Sequence, residues 1–94
     1  MNQREIEKIL VDILSCHDAS RIAVFGSRAR GEERPESDLD VLVSFGRTKS
    51  LLKLVAIERE LSEALGIKVD LLTEASLSPH LRERIQSQLK VLLQ

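Results

Sequence analysis

The chain has 94 residues, 43% of them hydrophobic and 31% charged, which predicts one small globular domain over residues 1–94 and excludes a disordered segment. The formal net charge is −1 and the only aromatic residues are two Phe, so no strong nucleic-acid surface is predicted. The apolar runs are far too short to span a membrane, and the single cysteine cannot form an internal disulfide. Together these features favour a cytoplasmic protein.

The first half of the chain predicts a helix, two strands and a second helix. Apolar residues recur every three or four positions from Arg4 to Ser15, which is the period of one helix face. Short apolar runs predict strands at 21–25 and 38–44, close enough along the chain to pair as neighbours. The second helix is predicted to begin after an N-cap at Ser50 and to end at Gly66.

The remaining residues predict a third strand and a last helix. The strand covers 67–72, and Ser78 and Pro79 are typical of the N-cap and first position of a helix. The run 82–84 is interpreted as a solvated helix face, and the tail 89–93 either continues the helix or forms a closing strand. The chain is therefore expected to belong to the α/β (α+β) class, with a small mixed sheet flanked by helices.

Two aspartates stand at alternate positions where the second predicted strand begins. On a strand, Asp38 and Asp40 lie on one face, whereas Leu39 and Val41 lie on the other, towards the core. Two neighbouring carboxylates repel each other, and Mg²⁺ or Mn²⁺ would relieve that repulsion while keeping room for phosphate oxygens. The alternative is that Asp38 forms a turn and Asp40 is a solvated residue of an edge strand.

A glycine turn precedes the aspartates. Gly26 follows the strand 21–25 and allows the backbone to come close to a ligand. Backbone N–H groups and the Ser27 hydroxyl can hold phosphate oxygens there, although Ser27 taken in isolation favours a plain helix cap. No Gly-Lys-Ser or Gly-Lys-Thr follows, which excludes a Walker A loop. Three further residues would either contact phosphates or serve as solvated or turn-capping residues: Arg28, Arg30 and Ser37.

Taken together, residues 25–41 resemble the signature of the DNA polymerase β-like nucleotidyltransferases. That signature begins with a hydrophobic residue, then Gly, then Gly or Ser. A loop follows, and after it comes Asp-x-Asp flanked by hydrophobic residues. Phe25-Gly26-Ser27 and Asp38-Leu39-Asp40-Val41 match it. The longer forms Gly-Ser-Arg-Ala-Arg-Gly and Ser-Asp-Leu-Asp-Val-Leu-Val are similar to the minimal nucleotidyltransferases, or MNT proteins, and chain length and element order fit as well.

The resemblance implies a nucleotidyltransferase fold and a third catalytic carboxylate on a later strand. Asp70, in strand 67–72, is the only good candidate for it. The same resemblance implies that Asp38, Asp40 and Asp70 hold two Mg²⁺ or Mn²⁺ ions. Gly26 and Ser27 would then hold the β- and γ-phosphates of ATP, beside Arg28, Arg30 and Ser37.

The resemblance also implies a partner, because MNT proteins are commonly encoded beside HEPN-domain ribonuclease toxins. The expected reaction is transfer of AMP from ATP to a hydroxyl of that toxin, a tyrosine, by which this chain acts as an antitoxin. A domain this small is expected to find its acceptor on another chain. The alternative is a binding module that neutralises the toxin, or holds nucleotide, without catalysis; homo- or hetero-oligomers remain open.

Overall fold

The computed structural model describes residues 2–26 and 38–94, and these form three α-helices and four strands. In chain order the elements are α1 (Gln3–Cys16), β1 (Ala19–Phe25), β2 (Leu39–Phe45), α2 (Leu51–Leu65), β3 (Val69–Thr73), a 3₁₀ turn (Glu74–Ser76), α3 (Pro79–Gln86) and β4 (Lys90–Leu93). The strands form one sheet in the order β3-β2-β1-β4. Since β2 is parallel to β3 and the other pairs are antiparallel, the sheet is mixed, as predicted.

The predicted helix ends are confirmed by their caps. The Ser50 hydroxyl accepts a hydrogen bond from the Lys53 N–H at 3.2 Å, and Gly66 ends α2 in the left-handed conformation with φ +69°. The Ser78 hydroxyl likewise accepts from the Leu81 N–H at 3.2 Å, one turn into α3. Each cap satisfies a backbone group that the helix itself leaves unpaired. These helix ends can therefore be predicted from the sequence.

The tail, which the pattern leaves open between helix and strand, forms strand β4. It pairs antiparallel with β1, so that Ala23 faces Val91 and Val24 faces Lys90. The edge of β1 that faces away from β2 therefore has a hydrogen-bonding partner. Some details differ from the sequence prediction: β1 begins earlier, at Ala19, β2 and β3 begin later, at Leu39 and Val69, and the 3₁₀ turn after β3 was not predicted.

The two faces of the sheet are covered unequally. One face packs against α1 and α2 and carries the larger cluster of buried side chains, which includes Leu10, Val41 and Leu61. The other face carries a smaller cluster in which Leu42 packs with Ile85 of α3. The thinly covered face is also the one towards which Asp40 projects, because Leu39 and Val41 on either side of it are buried in the larger cluster.

Within residues 2–26 and 38–94, no helix combines the length and the apolar character needed to cross a bilayer.

Candidate active site

Two of the three predicted carboxylates lie side by side on neighbouring strands. The parallel register of β2 and β3 sets Asp40 directly opposite Asp70, and Leu39 directly opposite Val69. Leu39 and Val69 are buried in the larger core, which fixes the direction of both strands and turns both aspartates to the opposite face. Residues that are 30 positions apart in the numbering are thus brought into one pair by backbone pairing.

The pair is electrostatically strained. Burial raises the pKa of Asp40 above its ordinary value, and the neighbouring charges of Asp70 and Asp38 raise it further. A side-chain hydrogen bond with Asp70 acts in the same direction, and only the positive charge of Lys68 opposes these effects. Such a pair is stabilised either by a shared proton or by a cation, and its hard oxygen ligands suit Mg²⁺ or Mn²⁺.

Asp38 lies just before β2 and stands apart from this pair. It is exposed, and its Oδ2 lies 3.9 Å from the Nζ of Lys68. Its charge still reaches Asp40, as the direction of the Asp40 pKa shows. Among the residues that the structure describes, no three His, Cys, Asp or Glu side chains are gathered closely enough to hold one metal ion. The fit to a cation therefore rests on the donor set of Asp40 and Asp70, with Asp38 beside it.

Gly26 brings the end of β1 against the same carboxylate. Its φ is +77°, and a Cβ at this position would lie only 2.6 Å from the Oδ2 of Asp40. Two separate requirements, a left-handed backbone and the space taken by Asp40, thus exclude side chains here. The sequence predicted a close approach of the Gly26 backbone to a ligand, and the group that the structure places there is the Asp40 carboxylate.

Four of the predicted phosphate-binding residues lie outside the described parts of the chain, so the structure does not bear on them. They are Ser27, Arg28, Arg30 and Ser37.

A cleft of about 340 Å³ opens beside Gly26 and Asp40. The sheet contributes one wall, with Phe25 and Leu72, and the other wall comes from α3 and the residues after it. Those residues are Leu81, Arg84, Ile85 and Gln88. The run 82–84 is exposed, as the sequence predicted, and Arg84 in addition lines the cleft, which the sequence analysis did not predict. The signal was the spacing of three and four that puts Leu81, Arg84 and Ile85 on one face of α3.

The chain matches the family model of the nucleotidyltransferase domain over residues 3–92. It belongs to that family. A protein of Methanocaldococcus jannaschii, MJ0435, assigned as a protein adenylyltransferase, is 48% identical over 85 residues, which are 90% of this chain and 91% of that protein. The protein adenylyltransferase MntA of Thermococcus cleftensis is 42% identical over 77 residues, 78% of either chain. This nucleotidyltransferase is accordingly an enzyme by family and by its relatives.

Solved structures agree with the fold of this nucleotidyltransferase. A toxin–antitoxin crystal structure with AMP-PNP superimposes with a TM-score of 0.84 at 27% identity, covering 92% of this chain and 71% of that one. A complex of a tri-AMPylated HEPN toxin with its MNT antitoxin, from Shewanella oneidensis, gives 0.81 at 25% identity, covering 97% and 71%. The nucleotidyltransferase fold expected from the sequence is confirmed.

Proposed function

We propose that this nucleotidyltransferase transfers AMP from ATP to a tyrosine hydroxyl of a HEPN-type toxin and thereby acts as its antitoxin. The observation that carries the proposal is the Asp40–Asp70 pair, in which the two residues are held opposite each other and Asp40 lines the cleft beside Gly26. A half-buried pair of carboxylates lowers the stability of the folded state, and carboxylates with such perturbed pKa values cluster at functional sites.

The acceptor and the nucleotide are supported by the similar proteins. The relative MntA is named a protein adenylyltransferase, and one structural neighbour is an antitoxin bound to an AMPylated HEPN toxin. Another neighbour contains AMP-PNP, a nucleoside triphosphate analogue, which supports ATP as the substrate. The expectation that the acceptor lies on a second chain belongs to the same proposal.

In the proposed reaction, the tyrosine hydroxyl oxygen loses its proton to solvent and attacks the α-phosphorus of ATP. The bond from that phosphorus to the bridging oxygen breaks, and pyrophosphate leaves with the electron pair. Asp40 and Asp70, with Asp38 beside them, would hold Mg²⁺ or Mn²⁺, which supplies activation of the attacking hydroxyl and neutralises phosphate charge. The chain itself supplies the fixed carboxylates and, at Gly26, a backbone that lacks a Cβ next to Asp40. It also keeps Asp40 half-buried, which strengthens electrostatic interactions there.

The test is transfer of label from radiolabelled ATP to the HEPN protein encoded beside this chain, with Mg²⁺ or Mn²⁺ present. We expect Asp70→Asn to lower the rate of AMP transfer by at least about a hundredfold. Asp70 would be a metal ligand, and removing a metal ligand lowers activity more than removing a residue that only orients a ligand. Asp12→Asn is the matched control, since Asp12 is an exposed residue of α1 outside the site. Both variants should fold, as judged by circular dichroism.

Three outcomes separate the alternatives. Undiminished labelling by Asp70→Asn would remove the carboxylate pair from the mechanism. If the wild-type chain neutralises the HEPN protein without labelling it, the function is that of a binding module. If labelling persists after the acceptor tyrosine of the HEPN protein is changed to Phe, the acceptor assignment is wrong.

A further inference from the structure

Arg84 projects from α3 into the cleft that holds Asp40. Leu81, Arg84 and Ile85 lie on one face of α3, and Ile85 is buried against the sheet beside Leu42. Ile85 therefore anchors this face of the helix, and its preceding neighbour Arg84 is left on the rim of the cleft. The exposed guanidinium is free to reach a ligand that enters the cleft.

The Arg84 side chain has no hydrogen-bond or ion-pair partner among residues 2–26 and 38–94. Two nearby arginines differ in this respect. The Nη2 of Arg82 donates to the backbone carbonyl of Glu74 at 2.9 Å, and the Nη1 of Arg21 lies 3.3 Å from the Glu74 carboxylate. Arg84 is thus a cationic residue of α3 that lines the cleft and has no side-chain partner in the described parts of the chain.

Side chains of both charge signs line the cleft. The lining includes Asp40 and Arg84 together with the apolar side chains of Phe25 and Leu72. A ligand that contacts both the Arg84 guanidinium and a cation held by the acids would carry negative charge at both contacts.

We propose that Arg84 is a substrate-binding residue whose guanidinium binds the phosphate chain of ATP at the end that departs as pyrophosphate. This inference rests on the proposed nucleotidyl transfer. When the bond between the α-phosphorus and the bridging oxygen breaks, the electron pair stays with that oxygen and pyrophosphate gains negative charge. The planar guanidinium can donate two parallel hydrogen bonds to such phosphate oxygens and offset that charge.

The experiment measures binding of ATP and of AMP to the full chain by calorimetry with Mg²⁺, which needs no acceptor protein. We expect Arg84→Gln to weaken ATP binding about tenfold, the effect of one exposed charge-assisted contact, and to leave AMP binding within about twofold. Arg84→Lys should fall between the two, because lysine keeps the charge and lacks the paired donors. Arg82→Gln is the matched control, as it removes the same charge two positions away.

In the transfer assay, Arg84→Gln should raise the KM for ATP and also lower kcat, because the contact strengthens as pyrophosphate gains negative charge. Thermal melts of both glutamine variants test the other role open to Arg84, a favourable charge near the C-terminus of α3. A lower melting temperature with unchanged ATP binding would overturn the inference and leave the proposed function standing. Equal losses for ATP and AMP would overturn it too. A wild-type chain that binds no ATP would overturn the proposed function itself, and with it this inference.

Discussion

At the scale of single residues, Gly26 and Asp40 form the most constrained contact of the site. The backbone of Gly26 is left-handed, and the Asp40 carboxylate occupies the space that a side chain would fill. Sequence alone indicated the glycine turn and the aspartate separately. Their contact depends on the antiparallel register that sets Phe25 opposite Asp40, so only the fold brings them together.

We expect Gly26→Ala to lower the free energy of unfolding by about 1–2 kcal/mol and to abolish most AMP transfer, because the new Cβ must displace Asp40. Gly66→Ala is the matched control. Gly66 has nearly the same φ, +69°, but nothing lies within 4 Å of a Cβ built there. Chemical denaturation should show the larger destabilisation in the Gly26 variant, which has the clash with Asp40 as well as the backbone strain, and the labelling assay should show loss of transfer in that variant alone. Equal activity of the two would show that the close approach is dispensable.

At the scale of elements, strand β3 owes its position to helix α2 as well as to β2. As an edge strand, β3 has outward-facing backbone groups that no strand satisfies. Glu58 Oε2 accepts from the Leu71 N–H at 2.9 Å, and the Ser62 hydroxyl accepts from the Val69 N–H at 3.1 Å. These two bonds flank Asp70 and hold the strand in the register that presents it to Asp40.

We expect Glu58→Ala to lower the free energy of unfolding by about 1–3 kcal/mol, because it leaves the Leu71 N–H without its acceptor. The rate of AMP transfer should fall as well, since Asp70 loses one of its two flanking anchors. Glu58→Gln keeps an acceptor oxygen and should recover part of both losses. The control is Glu63→Ala, an exposed position on the same helix. If denaturation curves of Glu58→Ala and Glu63→Ala coincide, the bond does not anchor β3.

At the scale of the whole molecule, stability depends on pH through the active site. The pKa of Asp40 is raised in the folded chain by burial, by Asp70 and by Asp38. The folded state therefore disfavours the charged carboxylate, and the molecule loses stability as the pH rises through that raised pKa. Functional sites commonly carry such a cost to stability.

We expect Asp40→Asn, measured in EDTA, to melt at a higher temperature than the wild type at neutral pH, because the neutral amide removes the repulsion. The difference in melting temperature should shrink as the pH falls below the ordinary pKa range of an aspartate, because Asp40 is then protonated in both the folded and the unfolded wild type. Melting curves over that range, with Asp12→Asn as the control, measure the effect. A wild-type chain that melts above Asp40→Asn at neutral pH in EDTA would contradict it.

The sequence by itself determined the local features. Caps at Ser50 and Ser78, the left-handed Gly66 and the alternation around Asp40 each depend on near neighbours in the chain, and each is found in the structure. The motif of residues 25–41 also determined the family, which the comparisons confirm. Ser27, Arg28, Arg30 and Ser37 remain predictions from that motif.

Only the tertiary structure decided what depends on pairing between distant segments. It set Asp40 opposite Asp70, turned Asp38 towards Lys68, made the tail a strand on β1 and put Arg84 on the rim of the cleft. Register between strands and the facing of a short helix are fixed by the shared burial of side chains from separate elements. A pattern read along one segment carries no information about the partner, so these contacts appear only when the sheet and helices are assembled.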